Sequence, residues 1–262
     1  VADFPDAEQA GNAVSDIVLA GSLPAVVEML ALLANEACEK ATGAGYSVDT
    51  PAALVVELDG VAVEVDAEFE RVQRICRDNQ STHIRIAEDP SERALIWQGR
   101  KAAFAAMGRI SPDYFVQDGV IPRTKLGATL TRIGEMSRAA GLRVANVFHA
   151  GDGNLHPLVL YDSTVEGQAE KAEHLATAIV ELCVEQGGSI TGEHGVGSDK
   201  ACSMPKMFTE SDLTVMALVR RAFDPEGVCN PGKVLPTPRL CGERPGPWRP
   251  HPLEQAGVIE RF

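Results

Sequence analysis

ANVFHAGDGNLHPLVLYD, residues 145–162, is the stretch whose reading decides the fold. Two apolar, partly β-branched runs flank Asp152-Gly153. An Asp-Gly pair accepts the positive φ angles that a two-residue hairpin turn demands, so the stretch predicts two antiparallel strands. With Asp152-Gly153 at the turn, His149 faces His156. Directly opposed residues share one side of a sheet, with Cβ atoms about 4.5–5.5 Å apart. Two imidazoles that close can bind one divalent ion, at about 2.0–2.1 Å for zinc. The alternative is two histidines that merely flank a turn, and Asp152 suits the turn better than ligation.

Outward from the hairpin, strand-like and helix-like patterns alternate. AALVVELDG (52–60) reads as a buried strand, THIRIAED (82–89) as a half-buried one and SPDYFVQDGVIP (111–122) as another. VADF at the start and the segment 24–30 are also strand-like. Helical spacing covers 6–19, 30–40, 61–79, 90–107, 123–140 and 165–186, with two more helices near 198–208 and 210–223. Asp6 is suited to an N-cap and Pro90 to a first helical turn. Hairpins mixed with crossovers predict an α+β fold: one large, mostly antiparallel sheet with helices on one face. The pattern makes residues 1–235 one domain. Six prolines between Pro236 and Pro252 mark 236–262 as an extended tail. The chain opens on Val1, inside its first strand, and reads as a fragment of something longer.

Composition narrows the function. With a net charge of −13 the chain lacks the basic surface that nucleic acid or an anionic membrane requires. An anionic substrate would need a local cation to hold it. No apolar run is long enough to span a bilayer, about 18–20 residues, and no signal segment opens the chain. The six cysteines are scattered without a C-x-x-C, which predicts reduced thiols in a cytosolic protein.

A second chemical element is TGEHGVG (191–197). Neighbouring residues on extended backbone point opposite ways, so Glu193 and His194 need a bend to act in one place. The useful division has Glu193 completing a two-histidine, one-carboxylate site and His194 facing the reacting atom. Such a set suits zinc, iron or manganese and leaves positions open for substrate. A surface turn with a solvated Glu-His pair is the alternative. Neither G-x-G-x-x-G between strand and helix nor a G-x-x-x-x-G-K-[ST] loop is present, so a nucleotide loop is excluded. Arg100, in IWQGRKAAF, could grip a carboxylate with its fork or could lie on a solvated helix face. His83 and His174 read as surface residues, and His251 lies in the tail without a partner.

These segments resemble a known family. LIWQGRKAAF, GRISPDYFVQDGVIPR, RVANVFHAGDGNLHPLVLYD, GGSITGEHGVG and FDPEGVCNPGKVLP, in that order, look like the C-terminal, substrate-binding half of FAD-linked 2-hydroxy-acid oxidases and dehydrogenases. The likeness is greatest to the bacterial glycolate oxidase branch. D-lactate and D-2-hydroxyglutarate dehydrogenases are more distant. Residues 1–89 fit more loosely.

The resemblance implies a ferredoxin-like cap domain over a flavin. It implies that His149, His156 and Glu193 hold a divalent metal and that His194 is the base. Arg100 would bind the substrate carboxylate. Asn230, in the N-P-G-K stretch, would contact the cofactor where the chain returns toward the flavin domain. The implied reaction oxidises a small 2-hydroxy acid to the 2-oxo acid by hydride transfer to FAD. FAD would be held mainly by an N-terminal domain absent from this chain, leaving the fragment inactive alone. Other oxidase subunits, including an iron–sulfur subunit, are implied partners, and the protein would be cytoplasmic, attached at most peripherally to a membrane through them. Val116 and Leu158 stand where 2-hydroxyglutarate enzymes have a lysine and an asparagine. That favours a monocarboxylate such as glycolate or D-lactate. Two further readings of the same residues are a stand-alone metallohydrolase and a non-catalytic ferredoxin-like binding module.

Overall fold

A computed structural model describes residues 1–236, so the expected tail lies outside the described residues beyond Pro236. Among the described residues, seventeen strands and α-helices follow the alternation read above. They are β1 (Ala2–Phe4), α1 (Ala7–Leu19), β2 (Val26–Ala31), α2 (Leu32–Thr42), β3 (Ala52–Glu57), α3 (Ala62–Asp78), β4 (His83–Ile84) and α4 (Pro90–Met107). Then come β5 (Asp113–Val116), β6 (Gly119–Val120), α5 (Leu126–Ala140), β7 (Arg143–His149), β8 (Asn154–Leu155), β9 (Pro157–Tyr161), α6 (Gln168–Glu185), α7 (Met204–Met207) and α8 (Glu210–Phe223). The two Asp caps form as expected: Asp6 accepts from the Gln9 N–H, and Asp89 from those of Ser91 and Glu92, with Pro90 in the first turn.

The strands form one nine-stranded sheet, ordered β4-β1-β3-β2-β7-β8-β6, with β9 pairing both β7 and β5. Every strand pairing among the described residues is antiparallel. The antiparallel α+β expectation therefore holds, but the helices are not confined to one face. Met29, Leu54 and Phe148 pack with α1, α3, α5 and α6, while their neighbours Leu30, Val55 and Val147 pack with α2 and α4. Adjacent strand residues point to opposite faces, so these strands are covered on both sides. Their sequences are continuous apolar runs rather than alternating ones, which is the pattern of a strand buried on both faces.

The hairpin is wider than the sequence predicted. His149 pairs with Asn154, and Asn146 with Pro157. Ala150–Gly153 thus form a four-residue loop, not a two-residue turn. Neighbouring strands pin its tip: the Gly151 N–H donates to the Val27 carbonyl at 3.0 Å, and the Ile121 N–H to the Gly153 carbonyl at 2.9 Å. The register moves by two, and a two-residue shift leaves every side chain on its expected face. His149 and His156 are consequently diagonal neighbours rather than opposed.

The expected strand 111–122 is also interrupted. β5 pairs with β9 and β6 with β8, and the break falls at Gln117-Asp118. The expected helix near 198–208 is reduced to a 3-10 turn, Ala201–Ser203, and the single turn α7. Cys38, Cys76, Cys183 and Cys229 are free thiols, but Cys202 is disulfide-bonded, which corrects the expectation of reduced thiols at that position. No helix among the described residues is long and apolar enough to cross a membrane.

Candidate metal centre

The site lies on the sheet face covered by α2 and α4. Glu28 on β2 and His149 on β7 are register partners, so their side chains rise from the same face side by side. Glu28 is buried inside an otherwise apolar strand. A lone carboxylate there would be costly, and two partners answer it. Its Oε2 accepts from Arg100 Nη2 at 2.9 Å, and its Oε1 lies 2.8 Å from His149 Nδ1. With Nδ1 engaged, the other ring nitrogen of His149 is the one left for a ligand.

His149 Nε2, His156 Nε2 and Glu193 Oε1 converge. Glu193 Oε1 is 2.8 Å from His156 Nε2 and 3.7 Å from His149 Nε2. One ligating atom from each residue fits within 4.8 Å of the others, so the three predicted ligands are brought together. His194 Nε2 is 3.7 Å from the same Glu193 oxygen, and the His194 ring stacks on His156 at a centroid distance of 5.0 Å. Burial pushes the His156 imidazole below its ordinary pKa, against the opposing pull of the Glu193 carboxylate. That favours the neutral ring that ligates a metal. Two Nε2 atoms and a carboxylate oxygen, backed by a carboxylate behind one histidine, are donors that could hold a divalent metal with positions left open.

Arg100 reaches this site but not free. It is buried and paired with Glu28, and its Nε has no hydrogen-bond partner. Asn230 stands apart, on the wall of a cleft of about 820 Å³ that also receives His194, Val116, Arg220 and Lys233. Its backbone is left-handed (φ 45°), and its carbonyl accepts from Arg220 Nη2 at 2.7 Å. Val116 and Leu158, the two positions noted for being apolar, are cross-strand partners.

Sequence reasoning passed over Glu28, Asp118 and Lys200. Asp118 is fully buried and Lys200 nearly so, and the two are 3.6 Å apart. Burial alone would raise the Asp118 carboxyl. The Thr191 hydroxyl, the His194 and Gly192 N–H groups and the Lys200 ammonium outweigh it and hold the group at about 2. Burial lowers Lys200. A charged residue at an inward-facing position of an apolar run was the available signal for Glu28. Asp118 had none, because its strand was read as continuous.

The profile of the family described as "FAD linked oxidases, C-terminal domain" matches residues 1–234. The chain is 48% identical over 243 residues to glycolate oxidase subunit GlcD of Escherichia coli strain K12, covering 93% of this chain and 49% of that protein. It is 28% identical over 243 residues to "D-lactate dehydrogenase [cytochrome], mitochondrial" of Arabidopsis thaliana, covering 92% and 42%. The chain thus spans about half the length of the curated relatives it matches. Among solved structures it is similar to p-cresol methylhydroxylase with substrate bound, with a TM-score of 0.65 at 12% identity, over 89% of this chain and 51% of that one. At that identity the likeness speaks for the fold alone.

Proposed function

This chain belongs to the family of FAD-linked oxidases, C-terminal domain, and from that premise we propose that it forms the substrate- and metal-binding part of a flavin-dependent 2-hydroxy-acid oxidoreductase. The observation that carries the reading is the convergence of His149, His156 and Glu193 with His194 at their edge. The names of the relatives, which include glycolate oxidase and D-lactate dehydrogenase, support a small 2-hydroxy acid as substrate.

His149 and His156 would each offer Nε2 to a divalent ion, and Glu193 a carboxylate oxygen. The ion, when bound, supplies Lewis acidity that eases loss of the substrate's hydroxyl proton. His194 takes that proton at Nε2, and Arg100 orients the substrate carboxylate with the part of its fork that Glu28 leaves free. FAD would supply the redox chemistry, as the two-electron acceptor for the hydride of the α-carbon. The product is the 2-oxo acid. Asn230 would meet the cofactor at the cleft wall. The apolar pair Val116 and Leu158 leaves a second carboxylate without a partner there, so glycolate or D-lactate fits better than a dicarboxylate. The whole protein would work with other subunits, as the word "subunit" in the relatives' name suggests.

The test is anaerobic mixing of the full-length flavoprotein with glycolate, D-lactate or 2-hydroxyglutarate. Loss of the oxidised-flavin absorption with either monocarboxylate is expected. No reduction by any of the three would overturn the proposal.

A further inference from the structure

We infer that Asp118 is a positioning residue that folds the loop Thr191–His194 so that Glu193 and His194 act in one place. The inference rests on the metal-site reading above and adds how that site is assembled.

Extended backbone would send these two neighbours in opposite directions. Instead residues 192–194 are bent, and Glu193 Oε1 and His194 Nε2 lie 3.7 Å apart. The bend has a visible cause. The Asp118 carboxylate accepts from the Thr191 hydroxyl at 2.6 Å and from the N–H groups of Gly192 at 2.9 Å, Glu193 at 3.1 Å and His194 at 2.9 Å. Three successive N–H groups meet one carboxylate only where the backbone curls around it, making a concavity of the kind that binds anions. Here the anion comes from the protein's own chain. Asp118 is itself fixed: Lys200 donates to its carbonyl at 2.6 Å. The loop is further docked where Val120 and Ser189 exchange backbone hydrogen bonds at 3.0 and 2.9 Å. The Thr191 hydroxyl also accepts from the Gly195 N–H at 2.8 Å, closing the curl on its far side.

The hydrogen bonds of the Asp118 carboxylate go to the Thr191 hydroxyl and to backbone N–H groups, not to a ligating atom, so its hold on Glu193 and His194 passes through the backbone, beside a through-space pull on His156. It holds one residue that ligates and another that moves a proton. Loss of this carboxylate should therefore loosen the third ligand while both histidines stay in place on the sheet.

Co²⁺ is the probe, added to metal-free full-length protein, with its dissociation constant taken from chelator competition and its coordination from the absorption spectrum. Asp118→Asn is expected to weaken Co²⁺ by about 10–100-fold, as loss of a supporting partner does, and to alter the spectrum. Thr191→Val, a milder change, is expected to weaken it several-fold, and Thr191→Ser, which keeps the hydroxyl, to bind as the unaltered protein does. A folded Asp118→Asn protein with unaltered affinity and spectrum overturns the inference and leaves the metal reading standing. If Asp118→Asn does not fold, equal affinity in the Thr191→Val and Thr191→Ser proteins overturns it. Absence of Co²⁺ binding in the unaltered protein overturns the metal reading and the inference with it.

Discussion

Glu28 joins two functional side chains through one carboxylate, with Oε1 2.8 Å from His149 Nδ1 and Oε2 2.9 Å from Arg100 Nη2. The proposed metal ligand and the proposed carboxylate-binding residue are thus held by one buried carboxylate. Glu28→Gln removes the charge and keeps the shape. Metal affinity is expected to fall about 10–100-fold, because His149 loses the partner that orients it. Stability is expected to fall by about 3 kcal/mol, because the buried Arg100 loses its counter-charge. Metal titration and urea unfolding check the two effects separately.

Arg100→Lys distinguishes the two roles open to Arg100. A lysine keeps the charge and loses the fork. If the fork holds the substrate carboxylate, KM for the 2-hydroxy acid should rise about 10–100-fold, the range for a hydrogen bond to a charged group. A change in unfolding free energy with KM untouched would assign Arg100 to Glu28 alone.

His194→Asn should lower kcat by about 10²–10⁴-fold, the usual contribution of a general base, with metal content unchanged. Metal analysis beside steady-state kinetics is the check. Loss of the metal together with activity would make His194 a ligand instead.

The Asp118 carboxyl is held at about 2 in the folded protein, below its ordinary unfolded value of about 3.9. A group with a lowered folded pKa adds stability that is fully present above the unfolded value and is lost as pH falls through the folded one. About 2 kcal/mol should therefore disappear between about pH 4 and pH 2. Urea midpoints over that range should fall more steeply for the unaltered protein than for Asp118→Asn. Equal slopes would count against the cradle's electrostatic contribution.

Gly188→Ala should be damaging. A Cβ there would lie 1.7 Å from the Val120 carbonyl oxygen, and backbone cannot yield as a flexible side chain can. The cost should be about 1–3 kcal/mol, the range for overpacking, read as a lowered Tm. An unchanged Tm would mean that the loop leaves β6 at little cost.

Much of the site was legible because it is local. His149 and His156 fall within one hairpin, and the period of two kept them on one face although the turn was misjudged by two residues. Glu193-His194 stood out as a charged pair between glycines. Glu28 and Asp118 were not legible, since each acts on residues distant in sequence: Glu28 on His149 across the β2–β7 pairing, and Asp118 on the loop at 191–194. The sheet covered on both faces could have been read from VVEMLA and AALVVE, whose apolar runs do not alternate.

By itself, then, the sequence determined the antiparallel α+β class, the family, and the three residues His149, His156 and Glu193 that the fold brings together with His194 beside them. These depend on periodicity and on short motifs, which act over a few residues. Tertiary structure alone decided that Arg100 is paired with Glu28, that β5 and β6 part at Gln117-Asp118, and that a buried carboxylate bends the chain at Glu193. Those features satisfy buried charges and backbone donors from distant segments, and which donor meets which acceptor is settled only when the chain has folded.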